Sequence, residues 1–131
     1  MKQKDKELVL KEISSRFPYG VKVFSKILNK LTLVKGITDD SIWVYVDEDN
    51  YEWEPIEDVK LYLRPLSSMS DEEKRYLMSL KYQPFAFEWK NLIISSQEII
   101  DWLNRKMFDY RGLIPMGLAL EVTKENNPYE T

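Results

Sequence analysis

The chain has 131 residues and a net charge of −3, and it contains neither histidine nor cysteine. Its length fits one domain spanning residues 1–131. The missing residue types exclude nucleophilic triads built on histidine or cysteine, thiol redox chemistry and ordinary zinc sites, so we expect no enzyme, no cofactor and no metal.

Charge is distributed unevenly along the chain. Residues 1–35 hold nine basic and three acidic side chains, residues 36–59 hold nine acidic and no basic ones, and the remainder holds ten of each. We expect the basic and acidic segments to lie close together. The alternative is nucleic-acid binding, which the overall acidity disfavours. Its phosphate contacts would be Lys22, Lys26, Lys30 and Lys35.

The sequence shows no targeting or membrane segment. The first seven residues are mostly charged, and no window of about twenty residues is free of charge. We therefore predict neither a secretion signal nor a membrane span, and we expect a cytoplasmic protein.

The N-terminal half is predicted to be a helix followed by a sheet. Apolar residues recur at spacings of three and four over residues 5–16, which indicates an amphipathic helix within residues 1–17. Alternating apolar residues then predict β-strands across residues 18–64, the clearest at 41–46 and 59–63. Residues 55–58 fit a tight turn or a single helical turn. Such a pattern is typical of a small curled antiparallel sheet of the SH3-like or Tudor-like kind, an analogy of fold alone.

The C-terminal half, residues 65–123, is predicted to be mostly helical, which makes the fold class α+β. Capping-box patterns at Ser70–Glu73 and Ser95–Glu98 predict helices over 70–81 and 96–107. Between them, residues 85–94 are predicted to form a short strand or hairpin, and residues 118–122 a last strand or extended run. Residues 124–131 are expected to fray.

Carboxylates are the remaining candidates for chemistry. Asp47, Asp49 and Asn50 could offer oxygen ligands to calcium, but the glycine and glutamate that an EF-hand loop requires are missing. A carboxylate-based hydrolase would need two acids that converge in a cleft. The acids that could do so are Glu52, Glu54, Glu57 and Asp58. A solvated polar face is the alternative that we favour.

Four aromatic residues could form a binding surface on one side of the sheet, since Trp and Tyr are enriched at interface hot spots. They are Trp43, Tyr45, Tyr51 and Trp53. Because such an exposed patch is a liability for a monomer, the sequence favours coverage by the first helix or by residues 85–94.

Arg64 is predicted to be a structural junction between the sheet and the C-terminal helices. It stands at the end of a buried strand, directly before Pro65, and its guanidinium offers five donors in a fixed fork. We expect its partner to be a carboxylate or a set of free carbonyls, with Asp101 and Asp109 as the candidates.

The chain resembles a family of small uncharacterised proteins from gut anaerobes and their prophages or other mobile elements. Three stretches carry the resemblance: Arg16–Val23; Asp58–Met69 with Ser70–Glu73; and Ile100–Asn104 with Phe108–Ile114 and Gly117–Ala119. Members often carry histidines before Phe-Asp-Tyr-Arg, where this chain has Arg105-Lys106-Met107. The resemblance implies a phage-related or mobile-element accessory protein. With the aromatic-rich sheet, it leads us to expect a non-enzymatic role in binding an unidentified protein partner.

Overall fold

A computed structural model describes residues 1–81 and 89–129. Within these ranges the chain forms three α-helices and six β-strands, in the following order: α1 Gln3–Arg16, β1 Lys22–Ser25, β2 Lys30–Ile37, β3 Ser41–Asp47, β4 Asn50–Pro55, β5 Val59–Leu63, α2 Asp71–Lys81, α3 Trp89–Arg105 and β6 Ala119–Glu121. One-turn 3-10 helices occupy Phe17–Tyr19, Ile56–Asp58 and Leu66–Ser68. The predicted α+β class with an N-terminal helix is confirmed.

The six strands form one mixed, open sheet in the order β4-β3-β2-β1-β5-β6. The five strands of the N-terminal half pair antiparallel, whereas β6 runs parallel to β5, with Leu61 opposite Ala119. The sheet is strongly curled, as shown by the Ser25 hydroxyl of β1, which donates at 2.5 Å to the Glu54 carboxylate of β4 although two strands lie between β1 and β4. The antiparallel sheet predicted for the N-terminal half is present, and β6 extends it as a parallel strand, which requires the long crossover through α2 and α3.

The main core lies between α1 and the concave face of the sheet. Val9 and Ile13 of α1 pack in one cluster with Ile42, Val44 and Leu61 from the strands. All five side chains are buried. Alternation along β3 sends Ile42 and Val44 to this face, so the residues between them point to the opposite face.

The helix α2 begins as the sequence predicts. The Ser70 hydroxyl accepts a hydrogen bond from the Glu73 amide at 3.1 Å, and the Glu73 carboxylate accepts one from the Ser70 amide at 3.0 Å. Both bonds of the predicted capping box are present, and they satisfy two amides that a helix N-terminus leaves without partners.

The helix α3 differs from its prediction. Its described part runs from Trp89 to Arg105, so residues 89–94 are helical rather than a strand, while residues 85–88 lie outside the described residues. The pattern at Ser95–Glu98 falls within the helix and does not start it. The sequence carries the reason, since Trp89, Leu92 and Ile93 recur at three and four, a spacing that the alternation of Phe85, Phe87 and Trp89 conceals. Residues 65–123 thus hold two helices but also a strand and a non-helical stretch after α3.

The end of the described chain lies against the sheet, unlike the frayed tail that the sequence predicts for residues 124–131. The Tyr129 hydroxyl donates to the Tyr62 carbonyl at 2.8 Å and accepts from the Lys22 amide at 3.1 Å. The Lys22 ammonium donates to the Pro128 carbonyl at 2.6 Å. Burial raises the pKa of Tyr129 to about 12, so its phenol stays protonated and keeps donating across the neutral range.

Candidate functional site

The four predicted surface aromatics lie together on the convex face of the β3–β4 hairpin. Trp43 is directly opposite Trp53, and Tyr45 is directly opposite Tyr51. The two tryptophan rings stack, with centroids 5.6 Å apart and planes inclined by 14°. The Tyr51 ring contacts two others: its centroid is 4.8 Å from that of Trp43, diagonally across the strands, and 5.8 Å from that of Tyr45. We call these four residues the aromatic hairpin.

The aromatic hairpin is open to solvent at its β4 side. Trp53 is 53% exposed and Tyr51 is 37% exposed, while Trp43 and Tyr45 are half-buried beneath them. Coverage of β4 by the first helix is absent among the described residues, while residues 85–88 of the other predicted cover lie outside them. The physical reason for the first is the placement of α1, whose apolar side chains pack on the concave face against Ile42 and Val44.

Gly36 supports the aromatic hairpin from β2. A Cβ at this position would lie 3.2 Å from Trp43 Cε3 and 3.3 Å from Trp43 Cβ, closer than an ordinary van der Waals contact. The ring of Trp43 therefore lies directly on the backbone of β2. A bulge between Val34 and Gly36 brings the two into this register. The hydroxyl of Thr32 on the same strand also donates to the Tyr45 carbonyl.

Acidic residues surround the aromatic hairpin. Asp39 and Asp40 lie in the turn before β3, and Asp47, Glu48 and Asp49 form or adjoin the turn after it. No basic residue occurs between positions 36 and 59. The Asn50 side-chain amide donates to the Asp47 carboxylate, so this turn is closed by its own side chains. The surface that a ligand of the aromatic hairpin meets is therefore negative at both ends.

The four carboxylates considered for hydrolysis do not share one cleft in the part of the chain that the structure describes. Glu57 and Asp58 border an apolar cleft of about 370 Å³ on the outer face of β1 and β5. Glu57 also pairs with Lys6 at 3.2 Å. Glu52 is exposed on β4, whereas Glu54 is fully buried and lines none of the described cavities.

Glu54 is the most unusual of these acids. Its carboxylate accepts the Ser25 hydroxyl through one oxygen, and its second oxygen has no hydrogen-bond partner in the described residues. Burial raises the pKa of Glu54, an effect that the Ser25 hydrogen bond opposes and the neighbouring charges of Glu52 and Asp58 reinforce. Because Glu54 is enclosed in the sheet, it presents no surface to a substrate.

Two of the four lysines proposed as phosphate contacts have structural partners. Lys22 donates to the Pro128 carbonyl at 2.6 Å, and Lys30 donates to the Val46 carbonyl at 2.7 Å. These bonds hold the chain end and the tip of β3 against the sheet. The geometry therefore gives no support to a nucleic-acid surface formed by these residues together with Lys26 and Lys35.

Arg64 joins β5 to α2 rather than to the residues predicted as its partners. Its guanidinium donates twice to the Glu73 carboxylate, at 2.7 and 2.8 Å, and it lies 4.2 Å above the centre of the Phe108 ring. These hydrogen bonds are the main reason that the pKa of Glu73 falls to about 2. The backbone of Arg64 pairs with Met107 and Asp109.

The predicted partners of Arg64 have other contacts. The Asp109 carboxylate accepts the amides of Leu113 and Ile114 at 2.8 and 2.9 Å. Asp101 accepts the side-chain amide of Gln97 at 2.8 Å. The choice of Asp101 and Asp109 is therefore wrong. Glu73 is nearer because residues 65–70 turn back at once to start α2.

Sequence reasoning missed a buried ionic cluster beside this junction. Glu12 and Arg16 are both fully buried and 2.5 Å apart, and Arg111 approaches the other oxygen of Glu12 at 2.6 Å. Arg16 also donates to the Phe108 carbonyl at 2.7 Å. The signal was present, since Glu12 and Arg16 continue the spacing of Val9 and Ile13 and so fall within the apolar stripe of α1.

Neither a metal site nor a membrane-spanning helix is found in the residues that the structure describes. No three acidic side chains converge there as metal ligands, and no helix there is both long and apolar enough to cross a bilayer. The turn at Asp47–Asn50 is thus part of the acidic surroundings of the aromatic hairpin.

Comparison with known proteins leaves the resemblance to a mobile-element family as a prediction. No family model, no curated protein and no solved structure matches the chain.

Proposed function

We propose that this protein is a non-enzymatic binding module that recognises another protein through the aromatic hairpin. The observation that carries the proposal is the stack of Trp43 and Trp53, with Trp53 more than half exposed at the edge of the sheet. Rigid aromatic side chains supply large contact area at low cost in conformational entropy, which is why they recur at interface hot spots. The phage or mobile-element setting and the cytoplasmic location belong to the same proposal and rest on the sequence.

The fold supports a binding role by analogy. The features that support an SH3-like or Tudor-like scaffold are the strand order β4-β3-β2-β1-β5 and the 3-10 turn at Ile56–Asp58 between β4 and β5. We infer a relationship of architecture to such small barrels, which commonly present side chains on a rigid curled sheet. The analogy concerns the scaffold, and the binding role rests on the aromatic side chains themselves.

The partner that best fits this surface is an extended, basic protein segment. β4 is an edge strand of six residues, so an incoming strand can pair with its outer backbone groups. Lysine or arginine side chains on that strand would lie over the faces of Tyr51 and Trp53 in cation–π contacts. The acids of the two turns add charge complementarity, which speeds association and selects against acidic partners.

The test is selection from a library of random extended peptides displayed to the immobilised protein. We expect the retained peptides to be enriched in lysine and arginine, and the affinity of a retained peptide to fall about 30-fold in the variant Trp53→Ala. Tyr76→Ala is the matched control, because Tyr76 is an aromatic residue of similar exposure, 48%, on α2.

Two results would contradict the proposal. One is a library that yields no enrichment of basic sequences. The other is a selected peptide that binds Trp53→Ala as tightly as the parent protein. Circular dichroism of Trp53→Ala separates loss of binding from loss of fold, and we expect its spectrum to match the parent because Trp53 is half in solvent.

A further inference from the structure

A second site, independent of the aromatic hairpin, lies near the other edge of the sheet. A cavity of about 780 Å³ opens between the end of α3, the end of β5 and the segment that follows β6. Among the described residues, four cationic side chains and no acidic one line it: Arg64, Arg105, Lys106 and Lys124. We call it the basic cavity.

Three of these cations have no carboxylate partner in the described part of the chain. Arg64 is paired with Glu73, but no acidic oxygen of the described residues lies within 4.0 Å of Arg105, Lys106 or Lys124. Arg105 and Lys106 also border a neighbouring cleft that Glu72 and Glu73 line, without forming an ion pair there. These exposed cations give the cavity a positive potential that attracts anions.

The end of α3 explains only part of this charge. Basic residues are favoured near a helix C-terminus, where the carbonyls carry partial negative charge, so Arg105 and Lys106 have a local reason to be present. Lys124 has none, because it arrives from the segment after β6. The convergence of Lys124 with the end of α3 on one cavity is therefore a property of the fold.

The rim that carries Lys124 is held in place. Thr123 and Asn126 exchange backbone hydrogen bonds at 3.3 Å, and the Tyr129 hydroxyl anchors the following residues to β1 and β5. The side-chain oxygen of Asn127 accepts the Tyr129 amide at 3.0 Å, which leaves its side-chain N–H groups available to donate. A fixed rim lowers the entropic cost of holding a ligand.

The size and lining of the basic cavity indicate what it could bind. A volume near 780 Å³ is that of a site for an organic molecule and exceeds what an inorganic anion fills. Tyr19, Met107 and Val122 give the cavity an aromatic and apolar wall beside its cations. Arginine and lysine are the usual ligands of phosphate groups.

We propose that the basic cavity binds a small phosphorylated organic molecule of about nucleotide size. Its phosphate groups would contact Arg105 and Lys124, and its organic part would lie against the wall formed by Tyr19, Met107 and Val122.

Calorimetric titration of the whole protein at low salt with ADP, adenosine and pyrophosphate tests this inference. We expect ADP to bind, pyrophosphate to bind more weakly and adenosine not to bind, because the phosphates supply the charge and the organic part supplies additional contact. The affinity for ADP should fall about tenfold in Arg105→Gln and in Lys124→Gln, since each loses a charge-assisted hydrogen bond. It should also weaken as salt is raised.

Lys4→Gln is the matched control, because Lys4 is an exposed cation of α1 that does not line the basic cavity. Its affinity for ADP should equal that of the parent. Absence of binding by both ADP and pyrophosphate at millimolar concentration overturns the inference. So does adenosine binding as tightly as ADP, pyrophosphate binding as tightly as ADP, or Lys4→Gln losing as much affinity as Lys124→Gln.

Discussion

Two buried carboxylates occupy different regions of the molecule and are stabilised in opposite ways. Glu12, in α1 beside the junction with the C-terminal segment, lies between the guanidinium groups of Arg16 and Arg111. Glu54, inside the curled sheet, meets one hydroxyl, that of Ser25, and no cation among the described residues. Cations offset the cost of burying a carboxylate charge, whereas a carboxylate buried without them tends towards neutrality. The first region is therefore sensitive to loss of a charge, and the second to pH.

Removing Arg16, the buried cation of the first region, is expected to have the largest effect on stability. Arg16→Met keeps much of the side-chain volume but leaves Glu12 with Arg111 alone and the Phe108 carbonyl without its donor. We expect the free energy of unfolding to fall by about 3–5 kcal/mol, the range for breaking one side of a buried ion pair. Urea denaturation measures it.

The double variant Glu12→Gln with Arg16→Met is the control for this prediction. It should be more stable than Arg16→Met alone, because a neutral amide replaces the buried carboxylate that has lost one of its two cations. A single variant as stable as the parent would show that the ionic cluster contributes nothing to the fold.

A smaller effect is expected at the junction of β5 and α2. Arg64→Ala removes both hydrogen bonds to Glu73 and the contact with Phe108, and we expect a loss of about 1–3 kcal/mol because the pair is partly exposed. Arg64→Lys retains the charge but not the fork, so its loss should be intermediate.

The same junction should respond to acid. The pKa of Glu73 is about 2 in the folded protein and near 4.5 in the unfolded chain, so its contribution is complete above pH 4.5 and is lost as pH falls towards 2. The difference in unfolding free energy between parent and Arg64→Ala should shrink over that interval. A difference that stays constant between pH 5 and pH 2 would contradict the assignment of Glu73 as partner.

A fourth prediction concerns the packing of Trp43 on β2, beneath the aromatic hairpin. Gly36→Ala places a methyl group 3.2 Å from the Trp43 ring, which must shift by a few tenths of an ångström. We expect a loss of about 1 kcal/mol from this overpacking and a changed tryptophan fluorescence spectrum. Lys35→Ala, at the exposed neighbouring position, is the control and should change neither quantity. An unaltered spectrum in Gly36→Ala would mean that Trp43 does not lie on β2.

The smallest expected effect is a change in how steeply the free energy of unfolding varies with pH. Glu54 has a raised pKa, so above about pH 4.5 the unfolded chain releases this proton while the folded chain retains it, and stability falls as pH rises through that range. Glu54→Gln removes the titration, so its unfolding free energy should fall less between acid and neutral pH than that of the parent. Parallel curves for the two proteins would rule out a raised pKa at Glu54.

Local sequence patterns predicted most helices and strands, but they did not predict which elements lie next to each other in the fold. The capping box at Ser70–Glu73 and the alternation along β5 are complete within a few residues, so sequence alone was sufficient. Strand β6 has only three residues, Ala119–Glu121, and its parallel pairing depends on the path that the chain takes through α2 and α3. No pattern inside such a short strand can specify its neighbour.

The candidate site shows the same division. Alternation placed Trp43 and Tyr45 on one face and turn residues placed β4 beside them, so the grouping of the four aromatics followed from the sequence. Their exposure did not, because it depends on which face of the sheet α1 covers. Arg64 was likewise expected to meet a carboxylate, but choosing Glu73 over Asp101 or Asp109 requires the path of the chain after Pro65.

The hydrogen bonds of Tyr129 have a consequence for folding during synthesis. Its hydroxyl bridges Lys22 of β1 and Tyr62 of β5, and it lies 107 residues from Lys22 along the chain. Strands β1 to β5 can pair as soon as they have left the ribosome. The Tyr129 hydroxyl that bridges β1 and β5 is synthesised only after α2, α3 and β6. Contacts of such sequence separation form slowly, since the intervening loop must first be closed. In a nascent chain β1 and β5 can therefore pair through their backbones, but the Tyr129 hydrogen bonds that join them are missing until residue 129 has been synthesised. Partly folded chains of this kind are the species that chaperones recognise.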